Sequence, residues 1–354
     1  VGPASIGWGI LGTGERATQI VTEAIQQQPP ITPETYGAWA VGVYSHSEAR
    51  AREFARTCFL PHSFTNLADL LQRPEVHCVY IASHPRHHFA LAMAALAAGK
   101  HVLCETPMAL TLEEAQTMQM AAEHRGLLLG VALQLRVDPA IRQLQHLLTD
   151  ELIGDLLGGY CRNTTPLSLR QQGWRLQKQA GGVLRSRTVH ALDLLPYLLN
   201  DEIATIYASG TQRMLGEGEN AAPDEDVQTL VTLRHSRITI QLHDSFLIPH
   251  LPTLLELYGS RGTLQVHHWA DRTRASRLVL VENHGSQPLP IPPGDADQQL
   301  IATFGHAVRQ QLHGHAALTS LVASGINGLQ SLQAALAAHQ SFQAGRLVHL
   351  PRVS

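Results

Sequence analysis

Ile6-Gly7-Trp8-Gly9-Ile10-Leu11-Gly12-Thr13-Gly14-Glu15-Arg16-Ala17 is the stretch that decides how the chain is read. A short apolar run leads into a compact Gly-x-Gly, and a helix-like segment through Gln19-Ile20-Val21 follows. Strand, tight turn and helix in that order form the entry unit of a dinucleotide-binding fold. Gly12 permits the turn, Gly14 lets the backbone approach a pyrophosphate, and Ala17 is small enough for the helix to lie against the strand. Backbone N–H groups at the helix N-terminus then face the phosphates, which makes Gly12, Thr13, Gly14, Glu15 and Arg16 cofactor-binding candidates.

Working outward, the helix is expected to run to about Gln28 and to stop at Pro29-Pro30, where proline removes donors and biases its predecessor out of helix. Ala38 to Tyr44 is an apolar run of strand length, the second parallel strand. The end of that strand meets the adenosine ribose, where an Asp or Glu selects NAD by bonding the 2′-hydroxyl. Here it reads Tyr44-Ser45-His46-Ser47, with Arg50 and Arg52 beyond and no carboxylate at the expected place. Hydroxyls and a nearby cation suit a 2′-phosphate, so Ser45 and His46 are cofactor contacts and NADP(H) is expected over NAD(H). The alternative is that the arginines form a solvated helix face.

The pattern then repeats. Strands are expected at Val76–Ala82, His101–Cys104 and Leu127–Leu133, separated by helices over 67–72, 89–98 and 112–124. Cys58-Phe59-Leu60 reads as a short strand or turn, and Thr111 with Glu114 three residues later as a capping box. Alternating strands and helices at this spacing indicate an open parallel α/β sheet with its ligand loops along one edge. Those loops hold Gly12–Arg16, Ser45–His46, Ser83–His88 and Glu105–Pro107, which adds Ala82, Ser83, His84 and His88 to the cofactor candidates.

The later half changes character. Asp138-Pro139-Ala140 opens a helix as cap, proline and helix former. Leu156–Arg162, Ile203–Ser209, Val227–Leu233, Ile238–His243, Thr253–Gly259, Gly262–Val266 and Arg277–Glu282 are strand candidates with fewer helices between them. Partial alternation, as in Thr229-Leu230-Val231-Thr232-Leu233, suits a sheet with one packed and one wetter face. Val189–Leu199 reads as a helix beside it, 216–226 and 286–297 as irregular excursions, and 297–312 and 320–343 as helices. The expected architecture is an α/β Rossmann domain over 1–134 and an α+β domain with a large, mostly antiparallel sheet over 135–354. The C-terminal helices are expected to pack back toward the first domain.

Composition bounds the function. With 354 residues the chain is too long for one ordinary core, and 44 % hydrophobic residues supply two. Lys+Arg 26 against Asp+Glu 29 leaves a net charge of -3, which recommends no nucleic-acid partner. The 21 His are spread without a zinc-like spacing, so no metal is expected. Four Cys form no CxxC, which suits a reducing compartment. No apolar run approaches membrane-spanning length and no charged leader precedes an apolar core, so a soluble, cytoplasmic protein without a membrane partner is expected.

These motifs, in this order, resemble the Gfo/Idh/MocA oxidoreductases, the glucose–fructose oxidoreductase and inositol dehydrogenase group. The resemblance rests on Gly12-Thr13-Gly14-x-x-Ala17, on Tyr80-Ile81-Ala82-Ser83 followed by His88, and on Ala98-Gly99-Lys100-His101-Val102-Leu103-Cys104-Glu105. It continues through Met108-Ala109-Leu110-Thr111, Arg136 with Pro139, Trp174-Arg175, Gly181-Gly182, His190-Ala191-Leu192-Asp193 and Asn327-Gly328-Leu329. It implies a dinucleotide-dependent oxidoreductase acting on a small polar substrate, sugar-, cyclitol- or keto-acid-like, and a homodimer or homotetramer. By the same resemblance Glu105, Trp174 and Arg175 lie near the cofactor. Two places depart from the pattern: Thr106 stands where most members have the lysine of Glu-Lys-Pro, and Ser186 and Thr188 stand where an Asp and a Gly precede the His.

Hydride transfer needs a placed nicotinamide, a group that exchanges the hydroxyl proton, and exclusion of water. His190 is the leading proton-transfer candidate because imidazole titrates near neutrality, and Asp193 lies three residues on. Thr106, the third catalytic candidate, can donate or accept a hydrogen bond but supplies no cation. Arg136, Ser186 and Arg187 are substrate-binding candidates, the arginines for planar anionic groups. The alternative function is a non-catalytic dinucleotide-binding sensor or scaffold, which two lost polar positions in a complete framework would leave.

Overall fold

The computed structural model describes residues 5–28, 37–212, 215, 224–271, 274–314 and 323–352. The helix stop at Pro29-Pro30, most of the 216–226 excursion and the start of the 320–343 helix lie outside them. In chain order the first elements are β1 (Ser5–Leu11), α1 (Glu15–Gln19, continued by a π-helical turn Ile20–Ile25), β2 (Gly37–Tyr44), α2 (Glu48–Thr57), β3 (His62–Phe64) and α3 (Leu67–Leu71). Then come β4 (Cys78–Ile81), α4 (His88–Ala97), β5 (His101–Cys104), α5 (Leu112–His124), β6 (Leu129–Val131), α6 (Pro139–Thr149), β7 (Leu156–Thr164) and α7 (Leu169–Gln172). The chain goes on with α8 (Val189–Leu199), β8 (Ile203–Thr211), β9 (Asp226–Leu233), β10 (Thr239–Ser245), β11 (Leu254–Gly259), β12 (Thr263–His267), β13 (Arg277–Glu282) and β14 (Gly285–Leu289). It closes with α9 (Ala296–Leu312), β15 (Ala323–Ser324), α10 (Gly325–Ala344) and β16 (Val348–His349). Two compact units result: Val1–Val137 with Gly294–Leu329, and Asp138–Pro293 with Gln330–Ser354.

The first unit is a seven-stranded sheet in the order β15-β6-β5-β4-β1-β2-β3. All its pairings are parallel except that of β15 with β6. Its central strands read as continuous apolar runs because a parallel sheet is covered on both faces. Trp8, Ile10, Val43, Tyr80 and Leu103 are buried with Ile20, Val21 and Ile25 of the first helical run and with Leu300, Ile301, Phe304 and Val308 of α9. Phe304 lies 5.7 Å from the Trp8 ring and close to Gly130, where a Cβ would stand 2.8 Å from it. Truncating a buried Phe costs about 3–5 kcal/mol, so α9 is part of this core and not an appendage.

The second unit carries a nine-stranded sheet, β14-β13-β12-β11-β7-β10-β9-β8-β16. Only β7 and β10 pair in parallel; the other neighbours are antiparallel. Alternation sets its faces: Val227, Thr229, Val231 and Leu233 of β9 are buried, while Gln228 and Leu230 are exposed. A Rossmann unit plus an α+β unit with a largely antiparallel sheet is the architecture expected from sequence.

Local signals place the helix starts. Asp138 accepts from the amides of Ala140 and Ile141, and Thr111 accepts from that of Glu114. Each cap satisfies an amide that has no partner within its helix. One segment departs from expectation. Gly285–Leu289, read as irregular, forms β14 on β13, with Pro288 opposite Val279. An edge strand tolerates proline because one side of its ladder is unpaired.

Candidate active site

The loops after β1, β2, β4 and β5 gather at one edge of the first sheet, where β1 lies between β4 and β2 and the strand order reverses. Such a switch point is where open α/β sheets bind ligands. Gly12 has φ +127 and its amide donates to the Tyr44 carbonyl at 3.2 Å. A Cβ there would stand 2.5 Å from the Ala82 carbonyl oxygen, so only glycine fits. Gly14 is different: it is exposed at the N-cap of α1, and a Cβ would meet nothing within 4 Å. A turn held tight by Gly12 and left open at Gly14, with free helix N-terminal amides behind it, fits a dinucleotide pyrophosphate. Thr13 is half-buried beside it, and Glu15 is exposed in the first helical turn.

Arg16 is committed to the protein itself. Its Nε donates to Glu105 Oε1 at 2.5 Å, while Nη1 and Nη2 reach Asp297 Oδ2 and Oδ1 at 2.7 and 2.9 Å. The Tyr80 hydroxyl donates to the same Glu105 oxygen, and Glu105 Oε2 accepts from the Thr106 amide at 3.3 Å. Asp297, on α9, has no counterpart in the sequence reading: 281 positions separate it from Arg16, and no local motif marks it. Thr106 is half-buried, and the Thr106–Pro107 peptide is cis. Cys104 is buried, and burial holds its thiol well above the ordinary range, which suits a strand end rather than a nucleophile.

The other cofactor candidates form a ring-rich rim. The Tyr44 hydroxyl lies 3.0 Å from His46 Nδ1, and the two rings meet edge to face with centroids 5.3 Å apart. His46 is 6.0 Å from His87, which is 6.1 Å from His84. Arg86 Nε donates to His87 Nε2 at 3.0 Å, so that nitrogen carries a lone pair. Burial, then the Arg86 charge, lowers the His87 pKa accordingly. His88 is 1 % exposed, with Nδ1 2.9 Å from the Pro107 carbonyl and Nε2 3.1 Å from the Ser83 carbonyl. It ties the 83–88 loop to the 105–107 loop, and burial lowers its pKa. Ser45 is buried and its hydroxyl accepts from the Ser47 amide at 3.3 Å; Ala82 is buried and Ser83 half-buried. Arg136, in a 3-10 turn over Gln134–Val137, is buried.

In the second unit, Gly182 lies against the buried Asp224, and Gly181 against the Arg175 carbonyl. Gly182 has φ +93, and a Cβ there would stand 2.3 Å from the Asp224 carboxylate. Asp224 Oδ2 accepts from the Leu184 amide at 2.7 Å, and His339 lies 3.7 Å from Oδ1. Burial raises the Asp224 pKa against those contacts. From this anchor the chain enters a π-helical turn, Leu184–Thr188, and then α8. Ser186 donates to the Gly182 carbonyl at 2.7 Å, so its proton is spent on its own turn. His190 is half-buried and Asp193 buried, three residues apart on one helix face. Trp174 and Arg175 are half-buried, with the Arg175 guanidinium 4.8 Å over the Trp174 ring.

Sequence reasoning also missed Asp244. It is 1 % exposed on β10, in the inward phase set by Ile240 and Leu242. A carboxylate in the apolar phase of an alternating strand was the signal available. Burial raises its pKa to about 7, opposed by a Thr188 hydrogen bond and the Arg187 charge. Among the described residues no three His, Cys, Asp or Glu are grouped as metal ligands, and no helix is long and apolar enough to cross a membrane.

The family model for GFO/IDH/MocA, an oxidoreductase family with an NAD-binding Rossmann fold, matches residues 6–133, and that for the GFO/IDH/MocA C-terminal domain matches 141–265. The chain is 29 % identical to the 1,5-anhydro-D-fructose reductase of Ensifer adhaerens, over 97 % of this chain and 98 % of that one. It is 30 % identical to the trans-1,2-dihydrobenzene-1,2-diol dehydrogenase of Macaca fascicularis, over 81 % of each. An inositol dehydrogenase homologue from Azotobacter vinelandii, solved with NADH and myo-inositol, superposes with a TM-score of 0.83 at 20 % identity over 98 % of each chain.

The expectation of NADP(H) over NAD(H) is corrected by these findings: the matching domain is an NAD-binding one, and the solved homologue holds NADH. The geometry gives the reason. Arg52 is ion-paired to Glu48 at 2.5 Å on the solvent side of α2, and Arg50 is exposed on the same helix. The cations that suggested a 2′-phosphate form the ordinary wet face of that helix. With both domains matched and a relative aligned over nearly its whole length, the chain belongs to the Gfo/Idh/MocA family and is an oxidoreductase.

Proposed function

We propose that this protein is an NAD(H)-dependent oxidoreductase that moves a hydride to or from a hydroxyl-bearing carbon of a small polyhydroxy compound. The observation that carries it is the turn at Gly12–Gly14, closed to every residue but glycine at the first position and open at the second. The relatives named above act, by their names, on an anhydrosugar and a diol, which supports the polyhydroxy class.

NAD(H) supplies hydride acceptance or donation when bound. The protein's own work is then positioning and proton handling. Amides at Gly14 and the first turn of α1 hold the pyrophosphate, and the loops carrying Ser45, His46, Ala82, Ser83 and His84 border the rest of the cofactor. Glu105, oriented by Arg16 and Tyr80, fixes the Glu105-Thr106-Pro107 turn. His190 exchanges the substrate hydroxyl proton, since imidazole takes up and releases protons near neutral pH. Thr106 serves as a hydrogen-bonding group only, because a hydroxyl cannot supply the positive charge of a lysine.

Titrating the protein with NADH, followed by turnover across polyols, cyclitols and keto compounds, tests this reading. Saturable NADH binding with turnover of at least one polyhydroxy substrate is expected. Absence of saturable binding refutes it.

A further inference from the structure

The helical run that carries His190 does not begin as an α-helix. Leu184–Thr188 form a π-helical turn, and α8 continues from it with no break, since Thr188 and Val189 both keep right-handed helical backbone. A π-helical turn takes in one residue more than an α-helical one, and an α-helix advances about 100° per residue. If the turn tightened to α geometry, His190 would swing by about that angle relative to the residues before the turn. What holds the turn open therefore decides where the imidazole stands.

The entry is held by Asp224. Its carbonyl accepts from the Val183 amide at 3.1 Å, and its Oδ2 accepts from the Leu184 amide at 2.7 Å. The exit is held from β10. Arg187 Nη1 donates to the Ser245 carbonyl, and the Asp244 carboxyl is hydrogen-bonded to the Thr188 side chain. Thr188 is fully buried, and its hydroxyl also lies 3.5 Å from the Val183 carbonyl. Its side chain thus spans the turn, from the last residue to the one before the first. A hydroxyl donates and accepts at once, so a neutral Asp244 can donate to Thr188 while Thr188 donates on to Val183. That chain ties both ends of the turn to the sheet.

The fold by itself gains little from a carboxyl at position 244. Asp244 is 1 % exposed, and its Oδ2 has no hydrogen-bond partner among the described residues. The ionisable groups acting on it are Arg187, Asp226 of β9 and Cys161 of β7, and burial outweighs them all in raising its pKa. An apolar side chain would occupy this phase of β10 without that desolvation cost. The use of the carboxyl lies in its bond to Thr188.

We infer that Asp244, acting through Thr188, is a positioning residue for His190: it fixes the π-helical turn, and the turn fixes where the imidazole stands. This rests on the reading of His190 as the proton-exchanging group.

NMR of the full chain carrying ring-labelled histidine reads the imidazole without turnover, the His190 signal being the one absent from His190→Ala. Thr188→Val keeps the shape and removes the hydroxyl. It should move that signal and its titration midpoint, and lower kcat about 10- to 100-fold with the NADH dissociation constant within about twofold. Thr188→Ser should restore both readouts. Asp244→Leu should do the same damage, and Asp244→Asn should recover most of it because an amide both donates and accepts. Should Thr188→Val not fold, the two Asp244 variants carry the same comparison. The Thr188→Val, Asp244→Leu double variant should be no worse than either single one, since both break one contact. An unmoved His190 signal, a kcat loss that neither Thr188→Ser nor Asp244→Asn recovers, or additive losses in the double variant each overturns the inference. The two readings fail separately. Full turnover in His190→Ala beside a moved signal in Thr188→Val sinks proton exchange alone; lost turnover in His190→Ala beside an unmoved signal in Thr188→Val sinks the positioning role alone.

Discussion

Arg16 grips Asp297 with both terminal nitrogens, at 2.7 and 2.9 Å, and in the same pose donates to Glu105 through Nε. One cation therefore serves two carboxylates that belong to α9 and to the turn after β5. Desolvation works against the Arg16 charge, while Tyr80 and Glu105 raise its pKa.

Removing that cation should cost more than removing one of its partners. Arg16→Met leaves Asp297 and Glu105 without it, and breaking a buried pair from one side costs about 3–5 kcal/mol. Because the Arg16 side chain is 21 % exposed, the low end applies. A fall in melting temperature of roughly 6–10 °C is expected. Asp297→Asn should lose about half as much. Calorimetric melts that put Arg16→Met within 2 °C of the parent would show that solvent already screens this network.

His190→Ala should lower kcat by about 10²–10⁴ and leave NADH affinity within about twofold, because it removes proton exchange and not cofactor contact. Single-turnover kinetics beside a fluorescence titration separates the two. Unchanged turnover takes His190 out of the mechanism.

Asp244 ties stability to pH with a sign opposite to most carboxylates. Its folded pKa, about 7, lies above the unfolded value, so the folded state holds its proton more tightly. Its ionisation therefore erodes stability as pH rises from about 4 to about 7, and the full penalty is present above that. Asp244→Asn should raise stability by roughly 2–4 kcal/mol at pH 8 and by little at pH 4. Denaturant melts at both values check this; a variant less stable at pH 8 would mean that Asp244 is ionised and well solvated.

Arg50→Ala and Arg52→Ala should leave the NADH-to-NADPH ratio of kcat/KM within about twofold, since exposed ion pairs of the Glu48–Arg52 kind contribute little and reach no ligand. A tenfold shift toward NADH in either variant would place that arginine at the ribose.

Local chemistry was legible in the sequence and distant chemistry was not. Asp138, Thr111 and Gly12 could be read because cap and turn residues act on backbone within a few positions of themselves. Strand β14 escaped because Pro288 speaks against a strand, and only its edge position makes it tolerable. The cofactor preference was misjudged from cations near the ribose, although Glu48, four residues before Arg52, already marked a helix-surface pair. Asp297 and Asp244 lay beyond reach for another reason. Their roles come from which strands and helices meet, and a residue's own neighbours in sequence do not encode that meeting.

The two glycines of the first turn answer to different masters. Gly12 is demanded by the polypeptide, whose own Ala82 carbonyl stands in the way of anything larger. Gly14 has open space around it, so nothing in the described fold requires it to lack a side chain. A screen that ranks variants by heat resistance alone will flag substitutions at position 12 and pass over those at position 14. On the function proposed above, Gly14 is a handle for uncoupling folding from ligand capture, and its bulkier replacements should give an intact but cofactor-blind control for the assays above.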